Sequence, residues 1–274
     1  MNKENLLQQE IQQDLNLPVL PSGISYLLRI LNNDDIGYSE LADKLEKFPS
    51  IALKIVAIAN SAWAAPATPI TSLRGACARV GVQVVRSISI ALTVAQVFDP
   101  TRCPLFKAKT FWISALLTAE SASICIQDNH NVCPDTARLA GLFHNIGLLW
   151  LATHKPLETG NAIAYRQKHP DSTLAEALTK QLGMDLYITG GYLASYIELP
   201  EVIATLIASP SLAAHDSDPL ISNHRQAILL ASLVLEAADN GGNIVVNDSD
   251  REHFEQLARK LPDIQSMAQA LFFC

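Results

Sequence analysis

The stretch that most restricts the possible folds is Leu139-Ala140-Gly141-Leu142-Phe143-His144-Asn145-Ile146-Gly147-Leu148-Leu149-Trp150-Leu151. One polar pair, His144-Asn145, interrupts an otherwise apolar run. Leu139, Leu142 and Phe143 recur at helical spacing before the pair, and Ile146, Leu149 and Trp150 continue that stripe after it. Burying two polar side chains in such a segment costs free energy unless each finds a partner. A metal ion, a hydrogen-bonded protein group or water must therefore hold them.

Helical period extends along nearly the whole chain. Residues 2–16 bring Leu6, Leu7, Ile11 and Leu15 near one face and predict an N-terminal helix, which the prolines of Leu17-Pro18-Val19-Leu20-Pro21 stop. Ser22 can cap a helix over 22–31. Further helices are expected over 38–47, 49–60 and 72–81, then 82–97, which is apolar on most sides and so central. A long helix over 105–127 follows, and Pro134 opens the one carrying the polar pair. Later helices are predicted over 157–168, 173–181, 185–197, 200–208, 222–239, 250–260 and 263–271. Thr173-x-x-Glu176 and Ser249-x-x-Glu252 read as capping signals, and Gly183 as a stop. Only 243–247 has strand character, and five residues make no sheet. The class is all-α. The expected layout is an N-terminal helix at 1–16, a main helical domain at 17–240 and C-terminal helices at 241–274 packed on it.

A chain of 274 residues with 49% apolar and 17% charged side chains can build a large core. No apolar run approaches the roughly 18 residues of a membrane span, and the first residues lack the apolar core of a signal peptide, so a cytoplasmic protein is expected. The formal charge of -7 works against a nucleic-acid surface. Cys77, Cys103, Cys125, Cys133 and Cys274 are odd in number and form no CxxC pair, which suits a reducing compartment, with core thiols expected and Cys274, at the terminus, open to exposure.

A family resemblance rests on an ordered series of segments. These are Leu17-Pro18-Val19-Leu20-Pro21, Phe48-Pro49 opening the helix that ends in Asn60-Ser61, Ile70-Thr71-Ser72-Leu73 followed by Gly81, and Phe111-Trp112. Gly141-Leu142-Phe143-His144-Asn145-Ile146-Gly147, Gly183-Met184-Asp185 and Leu199-Pro200-Glu201 complete it. The chain resembles the HDOD family, bacterial domains related to the HD-type metal-dependent phosphohydrolases, over about residues 15–240. That resemblance implies a multi-helix HD-like bundle and a role in bacterial signal transduction or regulation. It also implies four metal-ligand positions, which here read Ser114, His144, Asn145 and Ser232. Neighbouring positions where relatives often place histidines read Leu186 and Ser209-Pro210. One ligand of four survives, and a carboxamide is a weaker donor to a cation than a carboxylate.

Without a bound cation there is no Lewis acid and no acidified water. The favoured expectation is therefore a non-catalytic signalling module without cofactor or metal, docking a partner protein or sensing a small ligand. The alternative is a metal-dependent phosphohydrolase acting on a nucleotide or cyclic dinucleotide through His144. Asn60, Ser61 and Trp63, with His144 and Asn145, are the candidate ligand or partner site; Asn60 closing its helix over Trp63 is the structural alternative. No second signalling domain is evident, so input or output is expected from another molecule, and oligomeric state is left open. Rival sites are weaker. The loop from Asp128 to Asp135 gathers polar residues as loops do, and Asp248-Ser249-Asp250 lacks calcium-loop spacing. Arg74, Arg79 and Arg86 are expected to be solvated charges, and His215 and His224 to be exposed beside a polar loop. No GxSxG, GxGxxG or P-loop pattern occurs.

Overall fold

The computed structural model describes residues 22–31, 36–61, 63–126, 134–211, 218–241 and 244–272, with the backbone alone at 22–25. The expected helix at 2–16, its Pro-rich stop, Cys133, Cys274, His215 and most of the 128–135 loop lie outside the described residues. Among the described residues there are α-helices and one short 3-10 turn, and no strand. The 244–247 segment is irregular, with Val245 almost fully exposed. The chain is all-α.

The first five helices are α1 (Ser22–Leu31), α2 (Tyr38–Leu45), α3 (Pro49–Ala59), α4 (Leu73–Val80) and α5 (Val82–Ala95). Pro49 starts α3 where an N–H would be unsatisfied anyway, and Ser72 caps α4 by accepting from Gly75 N. Gly81, at φ 91°, makes the turn into α5 in a conformation that favours glycine. Every residue from Val85 to Val94 is buried, so α5 is the covered helix that its all-round apolarity predicts. Arg86 is buried within it, a correction to the expected solvated charge. Arg74 pairs at the surface with Asp43, and Arg79 donates to the carbonyls of Ala64 and Ala65.

Helix α6 (Ala108–Cys125) is the axis of the remainder. It packs against α7 (Pro134–Phe143), α13 (Pro219–Asp239) and α14 (Arg251–Phe272). Between them come α8 (Ile146–His154), α9 (Pro156–Lys168), α10 (Leu174–Leu182), α11 (Leu186–Tyr196) and α12 (Glu201–Ala208). Thr173 and Glu176 form the expected capping box on α10, which Gly183 ends at φ 74°. Helix α14 runs unbroken through Pro262, where two helices were expected. Leu257, Leu261, Ile264, Ala268 and Leu271 form one buried stripe across the proline. Burial of that stripe outweighs the roughly 3 kcal/mol that an interior proline costs. Ser249 does not cap this helix; Asp250 precedes it and its carbonyl accepts from Phe254 N.

The C-terminal helix ties both parts together. Phe272 stacks on Trp112 of α6 with ring centroids 3.8 Å apart, and Lys54 of α3 donates to the Leu271 carbonyl. Glu120 of α6 is paired with Arg138 of α7 at 2.7 Å and with Lys260 of α14. Burial pushes the Glu120 carboxyl up, but the two cations hold it below the ordinary glutamate value. Cys77, Cys103 and Cys125 are free thiols, and burial pushes Cys77 and Cys125 up to about 11, so they remain protonated and unreactive. Among the described residues no single helix is long and apolar enough to cross a membrane.

Candidate functional site

His144 and Asn145 lie at a break between α7 and α8 and are both buried. Asn145, at φ -112° and ψ 12°, leaves the helical region, and α8 restarts at Ile146. His144 Nδ1 lies 2.8 Å from the carbonyl of Gly141. A carbonyl only accepts, so Nδ1 carries the proton and closes the last turn of α7. Burial drives the imidazole down to about 4, against the smaller upward pull of that carbonyl. The ring is therefore neutral at pH 7, and Nε2 carries a lone pair. Asn145 Nδ2 makes a long contact, 3.4 Å, to the Phe111 carbonyl of α6. Facing a carbonyl, that atom must be the nitrogen, which leaves Oδ1 buried without a partner.

The glycines around the pair set the spacing. A Cβ at Gly141 would lie 2.7 Å from the Thr118 carbonyl of α6, and one at Gly147 only 2.0 Å from the Leu186 carbonyl of α11. The two helices thus touch the backbones of α6 and α11 on either side of the break.

The pair lines a cavity of about 1060 Å³. Ser114 of α6, His144, Asn145 and Ser232 of α13 all contribute to its wall, so four positions spread over 118 residues are brought to one place. Leu186 and Pro210 line it too. The wall is mostly apolar, with Phe106, Phe111, Leu148, Ile163, Leu174 and Ile228 prominent. Phe106 packs at 5.3 Å on Phe111, and the Tyr187 hydroxyl is pushed up to about 12 by burial and the nearby Asp185. Phe106 and Tyr187 escaped the sequence reading, and Phe111 entered it only as part of the family resemblance, because an aromatic at helical spacing looks the same whether it faces the core or a cavity.

Asn60, Ser61 and Trp63 stand elsewhere and are not part of this wall. Asn60 Nδ2 donates to the carbonyls of Val56 (2.9 Å) and Ile70 (2.8 Å), and Oδ1 accepts from Ile70 N (2.8 Å). Ser61 donates to Ile58 O at 2.7 Å, while Trp63 packs half-buried against the core. These three close α3 and pin the loop that follows. Asn60→Ala should lose about 1 to 2 kcal/mol of stability by urea unfolding, through the two bonds to Ile70, with no effect on ligand binding in the cavity.

His224 is buried at 3% exposure, where an exposed residue was expected. It shares a stripe of α13 with the buried Ala227, Ala231 and Val234, at spacings of three, four and three residues, which was the available signal that it faces inward. Neither ring nitrogen has a partner, and the hydroxyl of Thr118 on α6 is likewise unpartnered. Burial lowers His224 to about 3, with the charge of His144 adding to the effect. His224 thus adds two unpartnered ring nitrogens to the buried part of α13, near enough to His144 for the two rings to repel when charged.

The side chains present do not suit a divalent ion. His144 Nε2 is the one strong donor at the four positions, beside two hydroxyls and a carboxamide. The Ser232 hydroxyl donates to the Leu229 carbonyl at 2.7 Å. The carboxylate of Asp185 is taken up by the N–H groups of Tyr187 (2.8 Å) and Ile188 (2.9 Å) at the start of α11. Among the described residues no group of three or more His, Cys, Asp or Glu side chains is placed to hold a metal.

No curated protein matches the chain in sequence. Among solved structures, a candidate signal transduction protein from Marinobacter aquaeolei VT8 is 22% identical with a TM-score of 0.77, covering 95% of this chain; the match spans 61% of that longer protein. A candidate phosphohydrolase from Shewanella amazonensis SB2B is 21% identical with a TM-score of 0.73, over 95% of this chain and 97% of its own. An HDOD domain protein of unknown function from Geobacter sulfurreducens is 18% identical with a TM-score of 0.72, over 98% of both. At these identities the likeness is one of fold. The model of the HDOD domain matches residues 17–211, well over half the sequence, and the chain belongs to the HDOD family.

Proposed function

We propose that this chain is a non-catalytic signalling or regulatory module whose cavity beside His144 binds a small molecule, the bound state being passed to another protein. One observation carries the reading. The four positions corresponding to the metal-ligand set of related hydrolases converge on a single roomy cavity, yet they retain one strong donor. A space of about 1060 Å³ is at the upper end of small-molecule sites. Its wall combines many apolar side chains with a few polar groups that can orient a guest. A phosphate-bearing substrate would meet only two lysines, Lys107 and Lys180, both exposed.

The test uses purified protein incubated with Mn, Mg, Ni or Fe, followed by metal analysis and phosphatase and phosphodiesterase assays. No stoichiometric metal and no turnover are expected, either in the native chain or in Asn145→Asp. Metal retained at one equivalent, lost in His144→Leu and accompanied by hydrolysis, would overturn the proposal in favour of a metal-dependent phosphohydrolase. Hydrolysis appearing in Asn145→Asp alone would show that the other ligands come from residues outside the four positions.

A further inference from the structure

From the chemistry of the wall we infer that the guest is an uncharged, largely apolar organic molecule that presents one hydroxyl or N–H donor to His144 Nε2. The inference rests on the reading of this cavity as a ligand site and adds the class of ligand. Each charged group around the cavity is either committed or exposed. Glu176 accepts from the Thr173 backbone N–H at 2.9 Å, and Asp185 caps α11. The Lys180 ammonium lies over the Tyr165 ring, 4.6 Å from its centre, while Lys107 is exposed. Both lysines are exposed, so no buried, unpaired charge stands among the lining side chains to match an ionic guest, and burying an unmatched ion there would be strongly unfavourable.

Two buried acceptors on the wall have capacity to spare, Asn145 Oδ1 and His144 Nε2; of these the His144 ring is fixed by a short hydrogen bond, whereas Asn145 is held by a long one. The His144 Nδ1–H is spent on Gly141, and the side chain is only 5% exposed, at the wall of the cavity. A neutral imidazole fixed in this tautomer can only accept at Nε2. It therefore discriminates between guests: an O–H or N–H is matched, and a carbonyl or ether oxygen placed at the same point is repelled. Phe106, Phe111 and Leu148 supply apolar contact for the rest of the molecule.

A matched pair of probes tests this. 2-Naphthol carries one donor on an apolar body, and 2-methoxynaphthalene has the same body with the donor capped. Binding to the full chain is followed by titration calorimetry, and by NMR of protein labelled with nitrogen-15 in histidine and carbon-13 in phenylalanine and tyrosine. 2-Naphthol should bind about tenfold more tightly, the effect of one net hydrogen bond. Only 2-naphthol should move the His144 Nε2 resonance upfield, as expected when its lone pair accepts a proton. In His144→Leu the preference should fall to near one. The NMR arm needs no variant, so it stands even if loss of the α7 cap prevents that mutant from folding. Equal affinity for both probes with an unmoved Nε2 signal would sink the donor assignment while leaving the cavity a ligand site. Failure of either probe to perturb signals of Phe111 and Tyr187 would count against the cavity reading itself, and the donor assignment with it.

Discussion

Gly147→Ala is expected to lose about 4 kcal/mol or more, a drop of at least about 10 °C in Tm for a chain of this size, or to leave the protein unfolded. The added methyl would stand 2.0 Å from the Leu186 carbonyl and 2.6 Å from the Gly190 nitrogen. Both are backbone atoms, so no side chain can turn aside. Relief requires α8 and α11 to part, and that separation would open the core beside the cavity. Alanine's better helix propensity returns at most about 1 kcal/mol. Gly160 in α9 supplies the control. There a Cβ would meet nothing closer than the Cys103 sulfur at 3.9 Å, so Gly160→Ala should be neutral or mildly stabilising. Urea unfolding of both variants, followed by circular dichroism, gives the comparison. A Gly147→Ala protein within 1 kcal/mol of the parent would mean that α8 and α11 do not pack as described.

Acid should unfold this protein through two histidines. His144 titrates at about 4 and His224 at about 3 in the folded chain, both below the ordinary 6.5 because they are buried. The unfolded chain takes up these protons near 6.5. Between about pH 6.5 and pH 4 the unfolded state thus binds up to two more protons than the folded one. Stability is therefore full above pH 6.5 and falls as the pH drops, with a slope approaching about 2.7 kcal/mol per pH unit for two protons. Glu120, the ion-paired carboxylate, acts at lower pH, below the ordinary glutamate value, so the windows separate. His224→Leu should halve the slope. It should also leave stability at pH 7 unchanged or higher, since an imidazole with two unpartnered nitrogens gives way to an apolar side chain of similar size. Unfolding free energy measured in urea from pH 4.5 to 7.5 checks both statements. A flat profile in the parent would show that His144 and His224 are not buried as neutral rings.

Much of the secondary structure was readable because it is written locally. Proline at 49 and 134, the capping box at Thr173 and Glu176, and the left-handed Gly183 each act within a turn of their own helix. The proline at 262 misled because its local effect is overridden by burial on the same face for the length of α14. His224 and Arg86 were misjudged for a related reason: a polar residue type suggests solvent, but the neighbouring helices decide exposure.

The amino-acid order alone determined the helical class, most of the helix ends and the isolation of His144-Asn145 in an apolar run, since periodicity, proline and capping chemistry are properties of neighbouring residues. Family likeness then singled out Ser114 and Ser232. Only the tertiary structure decided that these positions share a wall, that Asn60 works on a loop outside it, and that His224 is buried. Such facts depend on which helix covers which face. Contacts between α6, the α7–α8 break and α13 join segments 30 to 118 residues apart, at distances no local pattern records.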